Sequence, residues 1–537
     1  MKNFIYLVFV QNTDFKYRLY LILCALMILS GMNISAQDNN NWMQMPGSRS
    51  SLMGGAVVAG VRDNSAIFYN PGALGFIDSS TLSVSAVSYQ YESEKILNAG
   101  GAGVNLTSSS GLETIPLVSI SGTLKKKRKN SKSTFGYMLF TKNMTSNNFS
   151  KRVDGLKDTS ILAGDGYLSN NQYVEYIGDY SLQTALNEIW VGFTYAYKIN
   201  EHISIGMSPF LAYRKQSLNQ SFVSRTFADS TSNFANWYGQ AVGGASISQI
   251  TYDDIENITF TNFRALAKLA IALDFGKLKM GAAYTTRSVN FGGKAMIGRD
   301  ISFNGGSANA DTLVSSSYTY NDRQSNLKIT YISPASLSCG VDYLLTKTTL
   351  AVAGEYFWAV SPYDLATPSA TSFYRPVWGN NIKSNGIGTI NSNEYLRIME
   401  ASKAVTNIAV AIEQHVNEKL SIVGSFRTDF SSYKKAANDF WEYLYRDTLN
   451  PPGQRLSFSN INLYHISLGA ILKNKKSDIH IGLSYTFGTN KSFQPYNNMA
   501  NPSDNINNLG AVADQQQSAT YKYDGYSILL GYTYHFK

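Results

Sequence analysis

The sequence predicts an all-β protein: a transmembrane antiparallel β-barrel of about fourteen strands, with an N-terminal hatch plugging its lumen. Three observations lead there. Apolar residues recur with period two in hairpin after hairpin, and they are spread along the chain instead of gathered in blocks. The connections between these segments alternate short, long, short, long. A leader at the N-terminus reads as a secretory signal.

The leader comes first. Lys2, Lys16 and Arg18 make a basic region, and "LYLILCALMIL" (Leu19 to Leu29) is a short apolar core. Ile34-Ser35-Ala36 fits a cleavage site, which makes Gln37 the new terminus. The apolar run is short for a spanning helix, and no other stretch reaches the ~18 unbroken apolar residues that one needs. Cys24 follows bulky Leu23, which disfavours a lipoprotein signal. Removing the leader leaves one cysteine, Cys339, so no intrachain disulfide is expected, and Cys339 reads as a buried or lipid-facing thiol. The leader carries three positive charges and one negative (Asp14), so the +9 of the whole chain becomes +7. That charge is mild for the length and no arginine-rich helix accompanies it, so nucleic acid is not an expected partner. Charged residues make up only 15% of the chain against about 25% in soluble domains, and 36 tyrosines replace part of them.

Gln37 to about Ser80 is apolar and broken by turns. Gly54, Gly55 and Gly60 permit tight bends, and Asn70-Pro71-Gly72 ends the segment abruptly. It is too short to be a soluble domain, and a barrel lumen is the space open to it. The strands follow. Leu82 to Tyr91 stands alone. "IPLVSISGTL" (Ile115 to Leu124) is joined to "TFGYMLF" (Thr134 to Phe140) through the basic turn "KKKRKNSKS". "EIWVGFTYAYKI" puts Ile189, Val191, Phe193, Tyr195, Tyr197 and Ile199 on one face and returns, through Asn200-Glu201-His202, as Ile203 to Tyr213. Four similar hairpins turn near residues 274–277, 346–348, 413–419 and 473–478, and Tyr521 to Phe536 closes the series. The long connections, such as Asn143 to Asn187 and Lys215 to Asn262, are rich in Asn, Ser, Asp, Tyr and Gly. Short periplasmic turns and long extracellular loops are the rule for outer-membrane barrels. The expected location is the outer membrane of a Gram-negative bacterium, with both termini periplasmic. The expected domains are 1–36 (signal peptide), 37–80 (hatch) and 81–537 (barrel).

"SRSSLMGGAVVAGVRDNSAIFYNPGAL" (Ser48 to Leu74) resembles the N-terminal hatch of the FadL/TodX family of outer-membrane transporters for hydrophobic compounds. The matching residues are Gly54-Gly55-Ala56, Asp63, Ser65-Ala66 and Tyr69-Asn70-Pro71, with Gly72 where the family usually has Ala. The resemblance extends to "EYFWAVSPY" (Glu355 to Tyr363) and the last strand. It implies a fourteen-stranded barrel and passive uptake of fatty acids or aromatic hydrocarbons, both compatible with these residues. It also implies a lateral opening at a kinked third strand, here Thr134 to Phe140 with Gly136. Pro209, which cannot donate to a ladder, is a second candidate border for such a gap.

Parity puts Arg264, Lys268, Lys279, Arg287, Asp342, Glu355, Glu413, Arg427 and Asp429 on the lumen side, where mixed signs suit a network that grips the hatch. His465, His480 and His535 are single inward positions; His202 and His415 lie at turns. No nucleophile elbow, zinc-protease helix or phosphate loop is present, so neither enzymatic activity nor a cofactor is expected. The expected partners are outer-membrane lipid and lipopolysaccharide, a small hydrophobic ligand and the barrel-insertion machinery, with a monomeric barrel. The alternative function, implied by relatives of the fold, is a protein-interaction or shuttle platform in a secretion system. It would show an occluded lumen under a flat loop surface.

Overall fold

The computed structural model describes residues 39–109, 113–125, 131–158, 173–228, 249–309, 312–369, 372–378, 387–434, 460–493, 495–502 and 517–536. The leader, Gln37 and residues 126–130 of the basic turn lie outside them. The chain runs through β1 (Thr81–Leu97), β2 (Leu106–Ser109), β3 (Glu113–Lys125), β4 (Ser133–Asp158), β5 (Tyr173–Lys198), β6 (Ile203–Ala228) and β7 (Gln249–Phe275). It continues through β8 (Leu278–Thr285), β9 (Val289–Asn309), β10 (Thr312–Lys328), β11 (Ser336–Leu344), β12 (Thr348–Phe357), β13 (Val360–Ala366) and β14 (Ser372–Trp378). The last elements are β15 (Ile387–Asn391), β16 (Ile398–Ser402), β17 (Val405–Asn417), β18 (Leu420–Asp429), β19 (Leu463–Asn474), β20 (Ser477–Phe493) and β21 (Ala519–His535).

Fourteen of these strands close a ring. In order they are β1, β3 to β8, β11, β12 and β17 to β21, each antiparallel to the next, and β21 returns to pair β1 from Thr81↔His535 to Leu97↔Thr520. The outer face is the one the alternation marked. Phe193, Leu211, Leu269, Val352, Ile412, Leu468 and Leu483 are all exposed there. Aromatic residues collect at its two edges. Tyr356 with Trp358, Phe426 with Tyr464, and Tyr485 with Tyr526 pack at the long-connection end, while Phe135 with Tyr195 and Tyr534 with Phe536 pack at the short-turn end. On β12 and its continuation the band from Leu350 to Trp358 is about nine residues long, the length of a membrane-crossing strand. Cys339 is exposed on this outer face.

The long connections differ from the expectation. Residues 143–158, 173–187, 215–228 and 249–262 are strand: β4, β5 and β6 are 26 residues each and β7 is 27. The reason is a change of phase. Within the membrane band the apolar residues point outward. Beyond it they point inward, as Tyr176, Tyr180, Leu182, Leu218 and Phe222 do, and polar residues such as Gln183 and Asn219 face out. A reading that follows the outward apolar face therefore stops where that face turns polar. β9 continues upward from β8 alongside β7, and β10 pairs β9, so the projecting wall is a wide sheet and not a set of loops. Arg287, expected in the lumen, lies exposed in the break between β8 and β9.

The projecting wall surrounds a second apolar cluster. Ile96, Leu106, Tyr176, Phe260, Tyr395, Met499 and Tyr521 belong to it. β13 and β16 pair as a separate ribbon, and a short helix, Ser392–Tyr395, lies between β15 and β16. Burial pushes the Tyr363 and Tyr395 phenols above their usual range, so both remain neutral hydroxyls. We refer to this folded end as the cap.

Candidate functional site

The N-terminal segment is built from short pieces. α1 (Ser48–Leu52) leads into tight turns, α2 (Ala66–Tyr69) follows, and Pro71–Phe76 forms a 3-10 turn with Pro71 at its start, where a missing N–H costs nothing. Leu52, Met53, Ala56, Val57, Val61, Ile67 and Leu74 are wholly buried. α1 packs against β18 to β21, and the 3-10 turn packs against β4 to β7, on another arc of the ring. The segment also descends. Asn40 lies beside Ser431 at the long-connection end of β18, whereas Ser80 accepts from Phe536 N at the short-turn end. The sequence predicts both termini at the short-turn end. β21 does end there, but Asn39, the first described residue, lies at the other.

The wall is shaped to receive this segment. A Cβ at Gly206 of β6 would overlap the Pro71 carbonyl, and one at Gly482 of β20 would overlap the Leu52 side chain. These inward glycines let a second backbone lie directly on the strand. Asn70 is fully buried and is a staple more than a bend: its Nδ2 donates to Val58 O at 2.7 Å and to Ile271 O of β7 at 3.0 Å. Gly72 lies close to the backbone of Ser204 and Ala270. Gly54 and Gly55 have positive φ (59° and 83°). Asp63 accepts from Ser65 N at 2.8 Å and from its hydroxyl, and Tyr69 OH meets Met45 Sδ at 3.2 Å.

Most of the inward charges named from parity touch the segment. Arg49 pairs with Glu413 at 2.6 Å, and Trp42 Nε1 donates to Glu355 at 2.7 Å. Trp42 N donates to Asp429 at 2.9 Å, and Arg427 donates to Met43 O at 3.2 Å. Lys268 Nζ stands 4.7 Å from the centre of the Phe68 ring. Asp342 crowds Gly60, where a Cβ would collide with its carboxylate. Arg264 is different. It binds Glu188, which also accepts from Arg214 at 2.8 Å and from Trp190 Nε1 at 2.6 Å. Glu188 and Arg214 share the inward parity and were legible by it. Among the histidines, His480 Nδ1 lies 2.8 Å from Ser48 Oγ; both are buried and tie α1 to β20.

Above the segment lies a small, partly open cavity. Phe68 and Trp190 form an aromatic floor with Phe140 and Phe210, their rings 5.1 to 6.4 Å apart. Lys142, Lys268, Arg214 and Arg264 outnumber Glu188 and Glu355 around it. Lys142 Nζ stands 5.6 Å over the same Phe68 ring as Lys268. It shares the inward parity of Met138 and Phe140, and the bulge of β4 between Thr141 and Asn143 then passes the inward face to Asn143, Asn147 and Phe149.

Among the described residues the widest interruption of the ring lies along β3. β3 pairs β4 only from Lys125↔Thr134 to Ser119↔Phe140, while β4 continues along β5 to Asp158. β3 also loses register with β1 between Ser85 and Gln90, across a stretch that contains Pro116. Val118 contacts Val87 and Met144 there. A second small, partly open cavity lies between this wall and Met43, Met45, Ser48 and Ser51 of the segment. The two expected borders differ. Gly136 is paired on both sides, with Thr123 and Thr194. Pro209 faces Ala267 on β7, but on its other side the β5–β6 pairing skips Phe193 and Thr194 opposite Pro209 and Ser208; the register is the same above and below, and Thr194 Oγ1 meets Ser208 Oγ at 2.6 Å across the gap. The proline, which has no N–H to donate, interrupts the ladder to β5 there without shifting its register.

Among solved structures, a Pseudomonas aeruginosa FadL homologue is similar over 95% of this chain and 100% of its own, at 13% identity and a TM-score of 0.50. The fold is that of a FadL-type barrel. The toluene transporters TbuX of Ralstonia pickettii and TodX of P. putida each match at 12% identity over 91% of this chain and 98% of theirs, with TM-scores of 0.47. No family model and no curated protein sequence matches the chain. This FadL-type barrel carries its charged cavity between the N-terminal segment and the cap.

Proposed function

We propose that the chain is an outer-membrane channel for passive uptake of amphipathic hydrophobic molecules, with the N-terminal segment as its hatch and the short-turn end in the periplasm. The cavity above Phe68 carries this reading. Two ammonium groups over an aromatic floor suit a ligand with a carboxylate head and an apolar tail, such as a fatty acid, better than a bare hydrocarbon. Among the described residues neither Lys142 nor Lys268 has a carboxylate within 4 Å. Burying the tail supplies about 0.8 kcal/mol per CH₂. Release runs sideways, through the break where β3 leaves β4, because the bilayer is the best acceptor for a greasy solute. The cavity against the hatch favours a channel over an interaction platform. The aromatic last strand, ending in Tyr534 and Phe536, is what the insertion machinery would grip.

The test is uptake by cells that produce the barrel as their only route for long-chain fatty acids. Lys142→Ala with Lys268→Ala is expected to lower uptake of a labelled fatty acid at least fivefold and to leave toluene uptake within twofold of the parent. Equal loss of both would refute head-group recognition, and unchanged uptake of both would refute the cavity as the route.

A further inference from the structure

The projecting sheet has an outer face that neither the hatch nor the cavity uses. Its registers align residues of β4, β5, β6, β7, β9 and β10 into rows about 4.8 Å apart from strand to strand, with about 7 Å between successive rows. The lowest row is aromatic. Tyr213 and Phe263 stack at 4.9 Å, and Phe291 beside them is 68% exposed, at the upper edge of the lipid-facing band. The next row reads Asn187–Lys215–Thr261–Lys294–Lys328. All three lysines are exposed, and none has a carboxylate within 4 Å among the described residues. Lys294 and Lys328 stand directly opposite each other, an arrangement that destabilises a sheet unless an anion joins it.

Two rows higher, Asn148, Gln183, Asn219 and Asn257 lie side by side, and Arg323 sits over Gly298 at the end of the same row. The row below is Ser146, Ala185, Ser217, Thr259 and Met296, and the row above is Ser150, Ser181, Ser221, Ile255 and Asp300. The first carboxylate on this part of the face, Asp300, comes three rows above the lysines. A flat wall with apolar rings, then cations, then uncharged hydrogen-bonding groups repeats the layering of a phosphorylated glycolipid: acyl chains, phosphates, sugars. We propose that this face is a docking site for lipopolysaccharide of the outer leaflet. Lys215, Lys294 and Lys328 take its phosphates, and the carboxamide row takes sugar hydroxyls. The inference rests on the long-strand end facing outward, as proposed above.

The test is native mass spectrometry of the purified full barrel titrated with core-type lipopolysaccharide, and with the same lipid after phosphatase treatment. The combined variant Lys215→Glu, Lys294→Glu, Lys328→Glu is expected to bind the phosphorylated lipid at least tenfold more weakly. The dephosphorylated lipid should bind the parent with a similar loss. Lys→Gln at the same three positions should lose severalfold, and it replaces the reversal if that fails to give a heat-modifiable barrel. Lys475→Glu with Lys476→Glu, at the other end, should bind as the parent does. Undiminished binding by the reversal and Gln variants, or equal binding of both lipids by the parent, overturns the proposal. So does labelling of Lys475→Cys, at the other end, from outside intact cells in a Cys339→Ser background. The lipid readout involves no uptake, so a barrel that binds the glycolipid and transports nothing would refute the channel alone.

Discussion

Asn70 offers the sharpest test of how the N-terminal segment is held. Its side-chain amide is the only part of that residue that reaches both the segment, at Val58 O, and the wall, at Ile271 O. Asn70→Ala removes both bonds at about 1 kcal/mol each, and desolvated carbonyls left behind add to this, for a total of about 2–4 kcal/mol. That shifts the ratio of docked to undocked segment roughly 30- to 700-fold. Asn70→Asp has almost the same shape but only accepts when ionised, so it sets a negative charge against two carbonyl oxygens and should undock the segment further. The assay is maleimide labelling of Ala59→Cys, a position with no exposure in the docked state, in a Cys339→Ser background. Labelling should rise from parent to Ala to Asp, while the heat-modifiable barrel persists. If Asp labels no faster than the parent, the two bonds do not hold the segment and the staple argument fails.

Three further outcomes follow from the packing. Gly206→Val places a side chain where the Pro71 carbonyl lies, and overpacking of this kind costs about 1–3 kcal/mol, so Ala59→Cys should also become reactive in that variant without loss of assembly. Glu188→Ala leaves Arg214 and Arg264 buried without their shared carboxylate, at a cost of about 3–5 kcal/mol, and should lower the urea midpoint of unfolding; an unchanged midpoint would show that the pair is compensated. Val118→Cys with Met144→Cys, across the break, should cross-link under oxidation and stop fatty-acid uptake until reductant is added; full uptake in the cross-linked barrel would exclude this exit.

What the sequence determined by itself was the wall within the membrane. There each strand has one face in lipid and one toward the lumen, so period-two alternation is forced by solvent on both sides, and runs such as Ile189 to Ile199, or Tyr464 with Ile466 and Leu468, could be read directly. The inward parity of Arg264, Lys268, Glu413 and Asp429 followed from the same rule. Beyond the membrane the rule inverts, and the strands carrying Tyr176, Tyr180 and Phe222 inward were mistaken for loops because water, not lipid, lies outside them. Only the tertiary structure decided the rest. The bulge that passes the inward face of β4 from Phe140 to Asn143 depends on how β4 and β5 pair, and the break at Val118 depends on where β3 parts from both neighbours. The inward glycines that accept Leu52 and Pro71 read as ordinary small residues until a second backbone is laid against them. Alternation is a property of one strand and its solvent, whereas bulges, breaks and close approaches are properties of pairs of segments far apart in the chain, and no local pattern records them.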